Sequence, residues 1–224
     1  MTAGRVLLER AIEAHGGLER WQSVRELVVR ARSGGFALAS RGKPGVFRAY
    51  EARISTSEPR TVLAPFPRAG QRGVFEDDGV RIENDDGVVL AKHSQARQAF
   101  RDFRHNFWWD YLDALYFAGY ALWNYFNAPF LFLRPGFKAK EIEPWEGDGE
   151  RWRRLHVVFP AELPTHSREQ VFYIDAKGHI RRHDYTAEVF GAWAKGAHYS
   201  WGHKECSGLI IPTHRRVLPR KKNN

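Results

Sequence analysis

The sequence predicts an α+β protein: a single long, strongly curved antiparallel sheet, an open or nearly closed barrel, with helices covering or filling its concave face. Three observations carry this. Alternating apolar and polar runs are joined by short turns rich in Asp, Asn and Gly. An amphipathic segment opens the chain. One aromatic stretch, residues 107–126 (FWWDYLDALYFAGYALWNYF), interrupts the strand pattern.

The opening segment, residues 3–15, places Val6, Leu7, Ala11 and Ala14 at helical spacing, with Thr2 as N-cap and Gly16-Gly17 as stop. Residues 18–23 form a further turn of helix, with Trp21 packing back. Strand patterns follow at 25–38, 46–55, 61–66, 72–76, 80–83 and 88–92. Asp77-Asp78-Gly79 and Asn84-Asp85-Asp86-Gly87 are hairpin turns, because Gly after Asp or Asn supplies the positive φ that tight turns need. Residues 95–103 read as helix and lead through Arg104-His105-Asn106 into the aromatic stretch. After Pro129 the strands resume at 131–133, 138–145, 152–159, 169–174, 179–189, 198–205 and 209–218. About a dozen strands result, with no linker and no internal repeat, so 1–224 is expected to be a single domain carrying a helical insert at about 95–130.

The stretch 107–126 contains no proline and is too long for a strand. It is apolar almost all round, which requires burial in protein or lipid. Asp110 and Asp113 would each cost roughly 2.5–3.5 kcal/mol near a bilayer centre. It therefore reads as a helix inserted into the protein, and no transmembrane segment is expected. At helical spacing Asp110, Asp113, Tyr116, Tyr120 and Asn124 share one sector, with Trp109 and Phe117 among them. Such a stripe is either a cavity wall or a core helix with satisfied carboxylates.

Composition bounds the function. The chain has 224 residues, 43% of them hydrophobic and 14% aromatic, with eight Trp. That is ample for a core and suits an apolar pocket. The single Cys206 excludes an internal disulfide. The first residues lack a long apolar run and carry Glu9 and Glu13, so the expectation is a cytoplasmic protein without a secretory signal. Of the net charge of +9, five come from the tail from Arg215 onward. No helix-turn-helix, zinc-finger or RNA-binding pattern accompanies it, so a solvated terminus is expected rather than a specific nucleic-acid partner. Nothing in the sequence indicates an oligomeric state.

The phrase His15-Gly16-Gly17-Leu18-Glu19-Arg20-Trp21-Gln22-Ser23-Val24-Arg25-Glu26-Leu27 resembles the opening of LolA/LolB-like bacterial proteins. This half-barrel superfamily includes the carriers of outer-membrane lipoproteins. Tyr116-Phe117-Ala118-Gly119-Tyr120 and Arg182-His183-Asp184-Tyr185 resemble a cytoplasmic branch of it, for which the resemblance implies no particular activity. The resemblance implies one half-barrel domain over 1–224, with an apolar cup for an acyl chain or other hydrophobic ligand. The chain shows no lipobox cysteine, since Cys206 lies far from the start. Lipoprotein transport is therefore not expected.

Ten histidines invite a search for metal spacing, but HExxH, paired Cys and His-x-His are absent. A metal would require His166, His183 and His214 to converge from separate strands, and none is expected. No phosphate loop or G-x-G-x-x-G is present, so no cofactor is expected. On the strand 179–189 alternation puts Arg181, His183 and Tyr185 on one face and Arg182, Asp184 and Thr186 on the other. Arginines on this strand read as outward-facing. His198 and His203, five apart, should point oppositely. Histidine is matched to proton transfer near neutral pH. A carboxylate on the aromatic helix would orient one, or act as base if burial raises its pKa. The candidate catalytic residues are thus Asp110, Asp113, His166, His183 and Tyr185. The candidate ligand-binding residues are Trp109, Tyr116, Phe117, Tyr120, Trp123, Asn124 and His214.

Two functions remain open. One is binding of a hydrophobic small molecule or acyl chain, which predicts a dry cavity with the Asp residues neutralised by arginine. The other is a cofactor-independent lyase, isomerase or cyclase using His/Asp acid–base chemistry, which predicts a His–Asp or His–Tyr contact opening onto the cavity.

Overall fold

The computed structural model describes residues 2–102, 105, 107–147 and 149–221. Along the chain lie α1 (Ala3–Ala14), α2 (Leu18–Gln22), β1 (Glu26–Ala31), α3 (Phe36–Ala39), β2 (Tyr50–Ser55), β3 (Arg60–Ala64), β4 (Gln71–Glu76), β5 (Gly79–Asn84) and β6 (Val89–His93). Then come α4 (Ala96–Ala99), α5 (Tyr111–Asn127), β7 (Lys138–Gly147), β8 (Glu150–Val158), β9 (Glu169–Ile174), β10 (Ile180–Thr186), β11 (Lys195–Cys206) and β12 (Leu209–Pro219).

The α+β class and the antiparallel meander are as the sequence predicts. The strands form two open six-stranded sheets, β1 to β6 and β7 to β12, each in chain order. The expected single ladder is divided between β6 and β7. There the chain is helical through α4, α5 and a 3-10 turn at Phe130–Leu133. A helix uses its N–H and C=O groups internally and cannot extend a ladder.

Several boundaries differ from the sequence reading. The strand predicted to run to Leu38 stops at Ala31, where Ser33-Gly34-Gly35 breaks it before α3. The strand predicted at 46–55 begins at Tyr50. The strand predicted at 131–133 is the 3-10 turn, closed by Phe132 N–H donating to Pro129 O at 3.1 Å. The predicted helix at 95–103 is only α4, and Phe103, Arg104 and Asn106 lie outside the described residues. So do Asp148 of one predicted turn and Lys222 to Asn224 of the basic tail.

Contacts divide the chain into two compact units. One holds Arg25–Phe126 with Leu163–Thr165, and so carries β1 to β6 and nearly all of α5. Here α5 meets β3 and β4 at two glycines. A Cβ on Gly119 would lie 2.3 Å from Phe75 Cβ, and one on Gly73 would lie 2.6 Å from Leu115. Thr61 Oγ1 donates to Gly119 O at 3.0 Å, holding the helix at that distance. Ala114, Leu115, Tyr116, Tyr120 and Trp123 are fully buried. Strand β2 alternates as a half-buried strand should, with Tyr50, Ala52 and Ile54 inward.

The other unit holds Met1–Val24, Asn127–Glu162 and His166–Asn224. Helix α1 starts at Thr2, whose hydroxyl accepts from Arg5 N–H. It packs on β7 and β8 through Leu7, Leu8, Ala11 and Ile12. At its C-terminal cap, His15 Nδ1 donates to Ala11 O at 2.7 Å. The His15 ring meets His179 and His203 edge-on at 5.8 and 6.1 Å, and those two stack on each other at 4.6 Å. Burial lowers His15 to about 4, and burial with the neighbouring His179 lowers His203 to about 4.

Two predictions follow from this packing. Gly119→Ala should destabilise the protein by about 1–3 kcal/mol in chemical denaturation, because Phe75 has no room to yield. Gly34→Ala, which meets open space, should stay within about 0.5 kcal/mol of wild type. The histidine cluster gives a pH dependence. The unfolded chain takes up these protons near pH 6.5, the folded chain near 4. Stability should be complete above about pH 6.5 and fall steadily as the pH drops through about 4. His15→Gln should flatten this decline in denaturation midpoints measured at pH 7, 5.5 and 4.5.

Candidate functional site

The carboxylates at the head of α5 are first a helix cap. Asp113 N–H donates to Asp110 Oδ1 and Asp110 N–H donates to Asp113 Oδ2, both at 2.9 Å. This reciprocal pair is a capping box. It explains why the helix begins at Tyr111 rather than at 107 as the sequence suggests. Asp110 is exposed and Asp113 is buried.

Asp113 has a second role. His105 Nε2 lies 3.3 Å from its Oδ1. Burial raises the Asp113 carboxyl above the usual carboxylate range. Asp110 adds to this by repulsion, while the Asp110 amide, His105 and His93 oppose it. A pocket of about 220 Å³ opens beside this pair, lined by Val80, His93, Ala96, Ala99, His105, Asp110, Leu112 and Asp113. Its floor is thus supplied by β5, by the segment from the end of β6 through α4, and by the first turn of α5. Four small or branched apolar side chains face two imidazoles and two carboxylates. Such a set can accept the apolar end of a molecule, hydrogen-bond its polar group, or exchange a proton with it.

The rest of the stripe is a polar seam inside the core. Trp109, Tyr116, Tyr120 and Trp123 are fully buried, Asn124 is buried and Phe117 is half-buried. None of them lines this pocket. The Tyr116 hydroxyl is bonded to Asp78 and Arg97, and burial pushes its pKa well up. Arg97 also donates to Thr165 O at 2.8 Å and lies 6.0 Å from the Tyr120 ring centre. Asn124 Nδ2 donates to Tyr120 O at 2.7 Å and Pro164 O at 2.9 Å.

The other unit gathers a separate group. His166 stacks on Tyr185 at 4.0 Å, and His183 lies 4.6 Å from both Tyr185 and Phe172. Gln170 Nε2 donates to Ser167 O at 2.8 Å, which turns its Oε1 to His183 Nε2 at 2.6 Å. His183 Nε2 is therefore the donor. Burial, with the Arg215 charge, lowers His183 to about 3. His198 joins the group 5.6 Å from His183 and is held well below its ordinary value, mainly by burial. His198 and His203 meet different partners: His198 packs with His183 and Tyr185, and His203 with His15 and His179. His214 is elsewhere: exposed on β12, it stacks on Trp201 at 5.6 Å. Among the described residues no group of three or more His, Cys, Asp or Glu is arranged to hold a metal.

One expectation fails outright. Arg182 is fully buried rather than outward-facing. Asp184, two residues along the same face, accepts both Nε at 2.7 Å and Nη2 at 2.9 Å. Tyr173 donates to Asp184 at 2.9 Å, and the rings of Tyr173, Tyr199 and Trp145 surround the guanidinium at 4.6, 5.2 and 5.9 Å. A bidentate partner and three π-faces make burial of this charge tolerable.

Sequence reasoning missed His93 and His105 as pocket residues. The signal for His105 was the Asp110-x-x-Asp113 spacing, and no motif marks His93. Read as a cap, that spacing starts the helix at Tyr111 and leaves His105 outside it.

No family model matches the sequence, and no curated protein matches it. Solved structures do. A LolA superfamily protein from Nitrosomonas europaea is 9% identical over 99% of this chain and 88% of that chain, with a TM-score of 0.52. A DUF1329 family protein from Desulfovibrio piger is 11% identical over 98% and 87%, with a TM-score of 0.54. At such identities the likeness concerns architecture: the chain has a LolA-like fold.

The capping role is checked by substitution. Asp110→Ala should cost about 1 kcal/mol in thermal or chemical denaturation, while Asp110→Asn should be nearly neutral, since Asn caps as well as Asp.

Proposed function

We propose that this protein binds a hydrophobic small molecule or acyl chain, and that the pocket at the head of α5 receives the end bearing its polar group. The observation that carries this reading is the pocket's composition. Val80, Ala96, Ala99 and Leu112 offer an apolar wall, and His105, Asp113 and His93 are the hydrogen-bonding groups. Its volume of about 220 Å³ is below the ~300–1,000 Å³ of sites that enclose a drug-sized ligand. It holds the equivalent of about seven waters at ~30 Å³ each. A larger ligand would therefore leave most of its length outside this pocket. The LolA-like fold supports the reading only as architecture.

A second reading has its own support. A carboxyl raised by burial, touching an imidazole at 3.3 Å and open to a pocket, is poised for acid–base chemistry. This is the His–Asp contact expected of a cofactor-independent lyase, isomerase or cyclase, with His105 as the histidine in contact with Asp113.

Native mass spectrometry with solvent extraction should reveal a co-purified apolar molecule, and an apolar dye should bind and be displaced by it. Ala99→Leu, at a half-buried pocket position, should weaken dye binding at least about tenfold with little change in stability. Undiminished binding in that variant would place the ligand elsewhere. If turnover of a bound ligand is found, His105→Gln and Asp113→Asn should each abolish it while retaining binding.

A further inference from the structure

Trp108 and Tyr111 are 66% and 44% exposed, unusual for large rings just before and at the start of a core helix. They are not idle. The Lys43 ammonium lies 5.1 Å from the Trp108 ring centre and 4.9 Å from that of Tyr111. Both distances fall within the ~6 Å range of cation–π attraction. The backbone around Lys43 is held to this place. Trp109 N–H donates to Arg41 O at 3.2 Å, and Gly42, at φ +73°, lies so close to Trp108 that a Cβ would meet its ring at 2.6 Å.

Lys43 itself is poorly satisfied. An ammonium has three N–H donors, yet its hydrogen bond is a long one, to Gly42 O at 3.4 Å. Among the described residues it has no carboxylate partner. Asp110, between Trp108 and Tyr111 in the chain, is exposed and makes no ion pair among the described residues. Two ring faces and an exposed carboxylate, whose Oδ1 also caps α5, lie in one turn of chain, and such elements are those with which proteins recognise ammonium groups. The side chain now on them is attached by a flexible four-carbon stem and is easily displaced.

We propose that Trp108, Tyr111 and Asp110 form a binding site for small alkylammonium groups, occupied in the free protein by the chain's own Lys43. The two rings lie apart from the pocket beside Asp113, whose lining includes Asp110 but neither Trp108 nor Tyr111. A compact ammonium fits because Lys43 already places one over both faces. Anionic and neutral ligands gain nothing from the ring quadrupoles or from Asp110. Lys43 acts as an internal competitor, so the affinity for a free ammonium is reduced by the fraction of time it occupies the rings.

The test follows the indole N–H of Trp108 in 1H–15N spectra of the full chain, assigned by its loss in Trp108→Leu. Tetramethylammonium chloride should shift it saturably against a sodium chloride control, and Lys43→Met should tighten the response about tenfold by removing the competitor. The uncharged isostere 3,3-dimethyl-1-butanol should produce no saturable shift. Ala99→Leu, which narrows the pocket, should leave the ammonium response intact. A response to phosphatidylcholine vesicles as well as to the free ion would assign the site to lipid headgroups. A response to the free ion alone would assign it to soluble amines. The proposal is overturned if wild type and Lys43→Met both fail to respond, if the alcohol responds equally, or if Ala99→Leu removes the ammonium response and so moves it into the pocket.

Discussion

Within the unit of β1 to β6, the rest of the arrangement depends on how closely α5 approaches its sheet. Gly119 on the helix and Gly73 on β4 remove the two Cβ atoms that would hold them apart. Thr61 then spans the remaining distance to the Gly119 carbonyl. A helix apolar on every side loses its solvation problem only when all sides are covered. With α5 seated this low, Tyr116 and Tyr120 sink fully into the core, and their polar groups must be met there. Asp78, Arg97, Pro164 O and Thr165 O lie along that seam. The pocket is what remains where the seam reaches the helix start and the surface.

The same economy explains the double use of Asp113. Its carboxylate closes the cap of α5 through the Asp110 amide and meets His105 on its other oxygen. Burial that comes with the cap raises its proton affinity, and the neighbouring imidazole limits that rise. A structural device thus creates a group suited to binding or proton exchange. In the other unit the buried histidines go the opposite way: His183, packed on Phe172 and Tyr185 and bonded to Gln170, is held neutral and serves the core.

Much of the fold was legible in the sequence because its signals are local. The Asp-Gly turns placed the hairpins, Thr2 and Gly16 bounded α1, and odd and even positions on β10 separated His183 and Tyr185 from Arg182 and Asp184. Boundaries failed where a local signal was ambiguous. The run 131–133 is as apolar as a strand, but Pro129 and Pro135 confine it to a tight turn. Arg182 was misplaced because nothing in its own neighbourhood announces Trp145, Tyr173 and Tyr199 around it. Those rings arrive from three other strands.

What the sequence alone determined is the antiparallel α+β pattern, the aromatic helix and its line of Asp, Tyr and Asn. Periodicity and turn chemistry act over a few residues and leave little freedom. Only the tertiary structure decided which of those groups are core and which are open. It buried Tyr116 and Tyr120, opened Asp113 to a pocket, and brought His93 and His105 to it. Exposure and proton affinity depend on neighbours distant in the chain, and no spacing within a segment encodes them.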